Sequence, residues 1–225
     1  MTGGLVLLGW FAYLWFKLPP APYQYQLIAE GDNKRFSQMN LDDWPELKLG
    51  QYKVQADGVD KPIAEFIVAR QNEGPPVLIY WKNSTNEILY NFDRKPSELS
   101  ALAAAISKHA PKDALILSWW DTSRQIKLLT GHDTLFTNHL NEPLMIPVTW
   151  LEQSKAIQAY ENQFWGSKAN PKEREQFERF SQALAAPAEE GIKQLRELIG
   201  SNREAYVIVH VTDLYRLGIM YPERM

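Results

Sequence analysis

Two hexapeptides in this 225-residue chain carry the residue types from which a polar site could be built. They are Trp119-Trp120-Asp121-Thr122-Ser123-Arg124 and Val211-Thr212-Asp213-Leu214-Tyr215-Arg216. Each follows an apolar run and sets an Asp at its exit, with an Arg three residues later, one helical turn on. In open α/β sheets, ligands bind beyond the carboxyl ends of the strands. Two parallel strands here would put Asp121, Arg124, Asp213 and Arg216 on one rim, where either Asp could act as a general base. The plainer reading is that each Asp caps a helix and each Arg pairs with it locally, a construction worth about 1 kcal/mol. Consecutive large aromatics at a strand exit point to opposite faces, so one of Trp119 and Trp120 packs inward while the other walls a groove. His132, Asn138 and His139 follow closely enough to share the rim.

The rest of the sequence offers little chemistry. It has no cysteine, which excludes disulfides, Cys-ligated zinc or iron–sulfur sites and covalently attached c-type haem. There is no H-E-x-x-H, P-loop or Rossmann glycine pattern, and Ser118 lacks the flanking glycines of a nucleophile elbow. His132 and His139 lie seven apart with a strand and turn between them, so helical metal-ligand spacing does not apply. Asp42-Asp43 and Glu189-Glu190 read as solvated or helix N-terminal carboxylates. No catalytic residue, metal or cofactor is expected. A net charge of −3 gives no basic stripe for nucleic acid. Asn83-Ser84-Thr85 matches a glycosylation sequon but reads better as a polar turn.

The elements that must position the rim fall into two parts of a mixed α/β domain spanning residues 27–225. Residues 27–95 are strand-rich. Tyr52–Ala56, Ala64–Arg70 and Val77–Lys82 are short β-branched or aromatic runs separated by Gly58 and Gly74-Pro75-Pro76, and Ile88–Phe92 makes a hairpin with Val77–Trp81, so an antiparallel sheet is expected. Over 96–225 helices alternate with strands. Pro96–His109 has helical periodicity with Pro96 in the first turn. Ala114–Trp119 and Ala205–His210 are continuous apolar runs, as in parallel strands buried on both faces. Asp121 caps a helix running to Leu129, and Asp133–Thr137 is a short strand. Thr149–Trp165, Pro171–Ala185 and Ala188–Ile199 complete the helices. The chain stops after a strand and short helix, where an α/β sheet often continues.

Gly3–Phe16 is an uninterrupted apolar run. As a helix its fourteen residues reach only ~21 Å, short of a ~30 Å hydrocarbon core, which suggests that the natural chain begins upstream of Met1. A signal peptide lacks its basic n-region and A-x-A site here, and a buried core helix is disfavoured by the clustering of Trp10, Tyr13 and Trp15 at one end like an interfacial belt. Residues 1–18 therefore read as a membrane anchor that contacts lipid, and Pro-rich 19–26 as a stiff spacer. Lys17 alone would place its side in the cytoplasm.

Two family resemblances rest on these residues. Trp119-Trp120-Asp121 resembles the start of the Trp-Trp-Asp-Tyr-Gly motif in the soluble domain of oligosaccharyltransferase catalytic subunits. Thr122 and Ser123 replace that motif's last two residues, and the polytopic part that holds metal and lipid-linked sugar is absent. Trp119, Trp120 and Asp121 would carry over as peptide-contacting residues only. The anchor, the spacer and the segment Asp113–Trp150 resemble the HaoB-type hydroxylamine oxidation proteins, encoded beside the multihaem hydroxylamine oxidoreductase of ammonia- and methane-oxidising bacteria. That resemblance implies an anchored accessory protein on the periplasmic side, holding the oxidoreductase or its cytochrome partners. The surface expected to bind them comprises Trp119, Trp120, Asp121, Arg124, Asn138, His139, Asp213 and Arg216. The alternative is a divergent peptide- or glycan-recognition domain.

Overall fold

The computed structural model describes residue 10 and residues 20–84, 95–140, 146–166, 171–200 and 203–224. The proposed anchor therefore lies outside the described residues except for Trp10, as does the Ile88–Phe92 hairpin strand. Among the described residues no helix is long and apolar enough to cross a membrane.

Four antiparallel strands open the domain in the order β1-β2-β3-β4: β1 (Tyr23–Gly31), β2 (Leu47–Ala56), β3 (Ala64–Gln71) and β4 (Val77–Asn83). Strand β1 begins inside the segment 19–26 read as a spacer. Tyr23 and Tyr25 are half-buried while Gln24 and Gln26 face solvent, and Tyr23 pairs with Ala56 of β2. The alternation Tyr-Gln-Tyr-Gln is a two-residue period, and pairing along β2 overrides the extended spacer that the preceding prolines suggest.

Helices cover both faces of this sheet. On one face Leu49, Ile67, Ala69 and Ile79 pack against Leu99 and Ala103 of α1 (Pro96–His109) and Leu129 of α2 (Trp120–Thr130). On the other, Val54, Phe66 and Val68 meet Phe164 and Trp165 of α3 (Ser154–Trp165). The single helix expected from Thr149 is a 3₁₀ turn, Val148–Gln153, followed by α3.

A second, parallel sheet has the order β6-β5-β7, built from β5 (Leu115–Ser118), β6 (Asp133–Thr134) and β7 (Ala205–Ile208). Strand β5 is buried throughout. Its Ile116 faces Ile106 and Ile126 of α1 and α2, while Leu115 and Leu117 join Phe177 and Phe180 of α4 (Pro171–Leu184) and Leu217 of α6 (Val211–Met220). Helix α5 (Ala188–Ile199) packs on α4. The chain is thus layered as α3, antiparallel sheet, α1 and α2, parallel sheet, then α4 and α6. This is the mixed α/β class expected, with one correction. Strand β7 is not buried on both faces: Val207 is 42% exposed, because β7 ends the sheet and, among the described residues, no helix covers its outer side.

Candidate functional site

The parallel register of β5 and β7 pairs Ser118 with Ile208, so the two strands end level with each other. Asp121 and Asp213 follow at the same height, and Arg216 bridges them. Its Nη2 lies 3.1 Å from Asp121 Oδ2 and its Nη1 lies 3.5 Å from Asp213 Oδ1. The guanidinium also stands 5.2 Å over the Trp119 ring, an attraction of about 0.5–2 kcal/mol. The side chains are largely buried, Arg216 at 19%, Asp121 at 13% and Asp213 at 2% exposed. A charge so enclosed must be paired, and a residue 95 positions away supplies the partner for Asp121.

Neither aspartate is an N-cap. Helix α2 is entered from Trp119 with no side-chain cap, and Asp121 inside its first turn accepts from the Thr122 backbone N–H at 2.6 Å. The N-cap of α6 is His210. Its Nδ1 accepts from the Thr212 N–H at 3.2 Å, and Asp213 Oδ2 accepts from the His210 N–H at 2.8 Å, a reciprocal capping box. An accepting Nδ1 leaves the neutral ring's proton on Nε2, which faces Glu98 Oε2 at 3.9 Å.

Arg124 does not join the rim. It is 4% exposed and donates to the Pro76 carbonyl at 2.8 Å, tying α2 to the start of β4. Burial pushes its guanidinium down to about 10, against the opposing pull of Asp121 and Glu173, so it stays cationic at neutral pH. Trp119 is the inward member of the Trp pair, 1% exposed and edge-on to Phe177 at 4.9 Å. That burial leaves it no face to offer a peptide. Trp120 is half-buried and meets the His139 ring edge-on at 4.5 Å. His139 stacks in turn on Trp165 at 4.6 Å, the two ring planes nearly parallel at 5°. Asn138 is occupied by Glu173, whose Oε2 accepts from its Nδ2 at 2.5 Å while Oε1 accepts from the Thr137 N–H at 2.5 Å. His132 precedes β6, level with the amino end of β5, at the opposite end of the sheet from the rim. Ser118 is closed off by the Ser123 hydroxyl at 2.8 Å.

Two glutamates that no sequence motif singles out, Glu173 and Glu161, hold this region from behind. Glu173, 5% exposed, fastens the loop after β6 to the first turn of α4. Glu161 accepts from the Tyr23 and Tyr25 hydroxyls and from Trp165 Nε1 at 2.6 Å. Burial first, then the Glu161 charge, raises both phenols far above the usual tyrosine range. The spacing Glu161–Trp165, one helical turn, was the available signal; its tyrosine partners are brought in by β1. Among the described residues no group of three acidic or histidine side chains is placed to hold a metal.

The arrangement is therefore an enclosed ion cluster in which Arg216 joins Asp121 and Asp213 over Trp119, while Trp120 belongs to an aromatic row with His139 and Trp165. No curated protein and no solved structure matches the chain. A family model described as HaoA-associated protein HaoB matches residues 1–225, and the chain belongs to that family.

Proposed function

We propose that this protein is a membrane-anchored accessory of hydroxylamine oxidation, which holds the multihaem oxidoreductase or its cytochrome partners at the periplasmic face. The docking surface runs from Trp120 and His139 across the rim onto the outer side of α6. The observation that carries this reading is the row Val211, Leu214, Tyr215 and Ile219 on that helix, exposed at 62, 49, 67 and 43%. Monomeric proteins rarely leave large side chains clustered in water without a partner to cover them, and aromatic residues with arginine make strong interface anchors. The helix bearing this row is fixed at its first turn by the capping box and by Arg216, so it is presented rigidly and loses little entropy on binding. The run Gly3–Phe16 and the family's association with HaoA support tethering beside that enzyme.

The test is a pull-down of the tagged full-length chain from native membranes. Recovery of the oxidoreductase or its cytochromes, lost in Tyr215→Glu and in Trp120→Ala without a change in melting temperature, is the expected result. Recovery of neither partner under conditions that preserve known complexes would sink the reading.

A further inference from the structure

We propose that the outer edge of β7 pairs with β7 of a second copy of this chain, antiparallel about a two-fold axis at Val207, which joins two β6-β5-β7 sheets into one. An unpaired strand edge is a template for another strand, and folded proteins blunt theirs with bulges, charges, prolines or short length. Among the described residues the edge strands are β1, β4, β6 and β7. Strands β1 and β4 are each bulged, at Ile28 and Ile79, which have no counterpart in the pairing, and β6 is 2 residues long. Strand β7 is not blunted. With the residue after it, it reads Ala205-Tyr206-Val207-Ile208-Val209, with neither charge nor proline, and its register with β5 is unbroken.

The backbone of β7 fixes how a second copy can sit. The Leu115 N–H donates to the Glu204 carbonyl at 3.0 Å, and Leu115 stands opposite Ala205. In a parallel ladder every second residue bonds to the same neighbour, so Glu204, Tyr206 and Ile208 turn their backbone groups to β5. Those of Ala205, Val207 and Val209 point outward. Antiparallel pairing satisfies them only where outward residues face outward residues. An axis at Val207 achieves this over the whole stretch: Val207 faces its own copy and Ala205 faces Val209 on either side, each pair exchanging both N–H···O bonds. The same register gathers Val207 and Val209 of both copies, 42% and 45% exposed in one chain, on one face. On the other face it sets the Glu204 carboxylate across from the His210 imidazole of the second copy, where two like charges would repel. Such self-complementarity is the form a two-fold interface takes, and it assigns the edge to a second copy rather than to an unrelated strand.

The test is sedimentation of the detergent-solubilised full chain over a range of concentrations, where a monomer–dimer equilibrium is expected. Val207→Pro removes an N–H that β5 does not use, a place on an edge strand where proline is tolerated. It should weaken dimerisation about thirtyfold, the ratio that two ordinary hydrogen bonds give when each copy loses one, with far-UV circular dichroism unchanged. Val207→Lys, which sets two ammonium groups against each other at the axis, should weaken it as well. The chain has no cysteine, so Val207→Cys places one thiol on each copy, with Cβ atoms about 5 Å apart across the axis. Dibromobimane should link them into a covalent dimer, and should not link Leu27→Cys on β1. A chain that stays monomeric, a dimer equally strong in both the Pro and Lys variants, or a dimer that dibromobimane leaves unlinked in Val207→Cys would each overturn the proposal. The first of these needs no substitution, so it stands even where a variant fails to fold.

Discussion

Arg216 is the residue on which the strand ends depend. Removing it takes away the guanidinium that both largely buried carboxylates share. Arg216→Met should therefore lower stability in urea melts by about 3 kcal/mol. Adding Asp121→Asn should return part of that loss, because the orphaned charge goes with it; an additive double variant would mean that the pair is not coupled. The tyrosines near Glu161 set the alkaline limit. Their folded pKa values are raised, so folding is favoured below about pH 10, where unfolded tyrosine still holds its proton, and the advantage is lost as pH rises above that. Arg124 acts in the opposite sense, since a lowered cation pKa makes folding less costly above about 10. With two tyrosines against one arginine, unfolding free energy should fall above pH 10. Tyr25→Phe should flatten that fall when melts are compared at pH 9 and 11.

Among the elements, α2 does the most joining. It takes its start from the exit of β5, sends Arg124 and Gln125 to carbonyls before and within β4, and receives Trp44 Nε1 at the Leu129 carbonyl, 2.5 Å away. The α4–α5 contact is set by size instead. A methyl group on Gly191 would run into the Ala183 carbonyl, a backbone atom that cannot step aside. Gly191→Ala should cost about 1–3 kcal/mol by forcing the helices apart, in spite of alanine's better helix propensity; an unchanged melt would show that the two helices slide freely. Elements with a strong local period were legible in the sequence, as α1 shows by running over Pro96–His109. The rim was only half legible. Two Asp-x-x-Arg repeats suggested it, but which arginine answers which aspartate depends on strand adjacency, and that is a long-range fact. Arg124 looked equivalent to Arg216 and is not, because the Pro76 carbonyl lies within its reach.

At the scale of the whole molecule, α1 and α2 are shared by both sheets, one side packing on Leu49, Ile67 and Ile79 and the other on Ile116. Such sharing leaves no plane along which the two sheets could part independently. Chemical unfolding should thus be a single transition, with tryptophan fluorescence and far-UV circular dichroism coincident; separated midpoints would mean that each sheet melts alone. The edge position of β7, open along one side, fits the exposure of Val207 and Val209 beside the docking face.

The sheet order β6-β5-β7 also has a consequence in time. Strand β5 leaves the ribosome about ninety residues before β7, its neighbour, at a synthesis rate of roughly 5–20 residues per second. For several seconds Leu115 and Leu117 lack the cover of α4 and α6, and Asp121 lacks its arginine. Strands β1 to β4 are consecutive hairpin partners, so their pairing closes shorter loops than that of β5 with β7. The strand ends close only when Arg216 emerges, so a chain cut short before that point keeps an open, sticky edge that quality-control proteases can recognise.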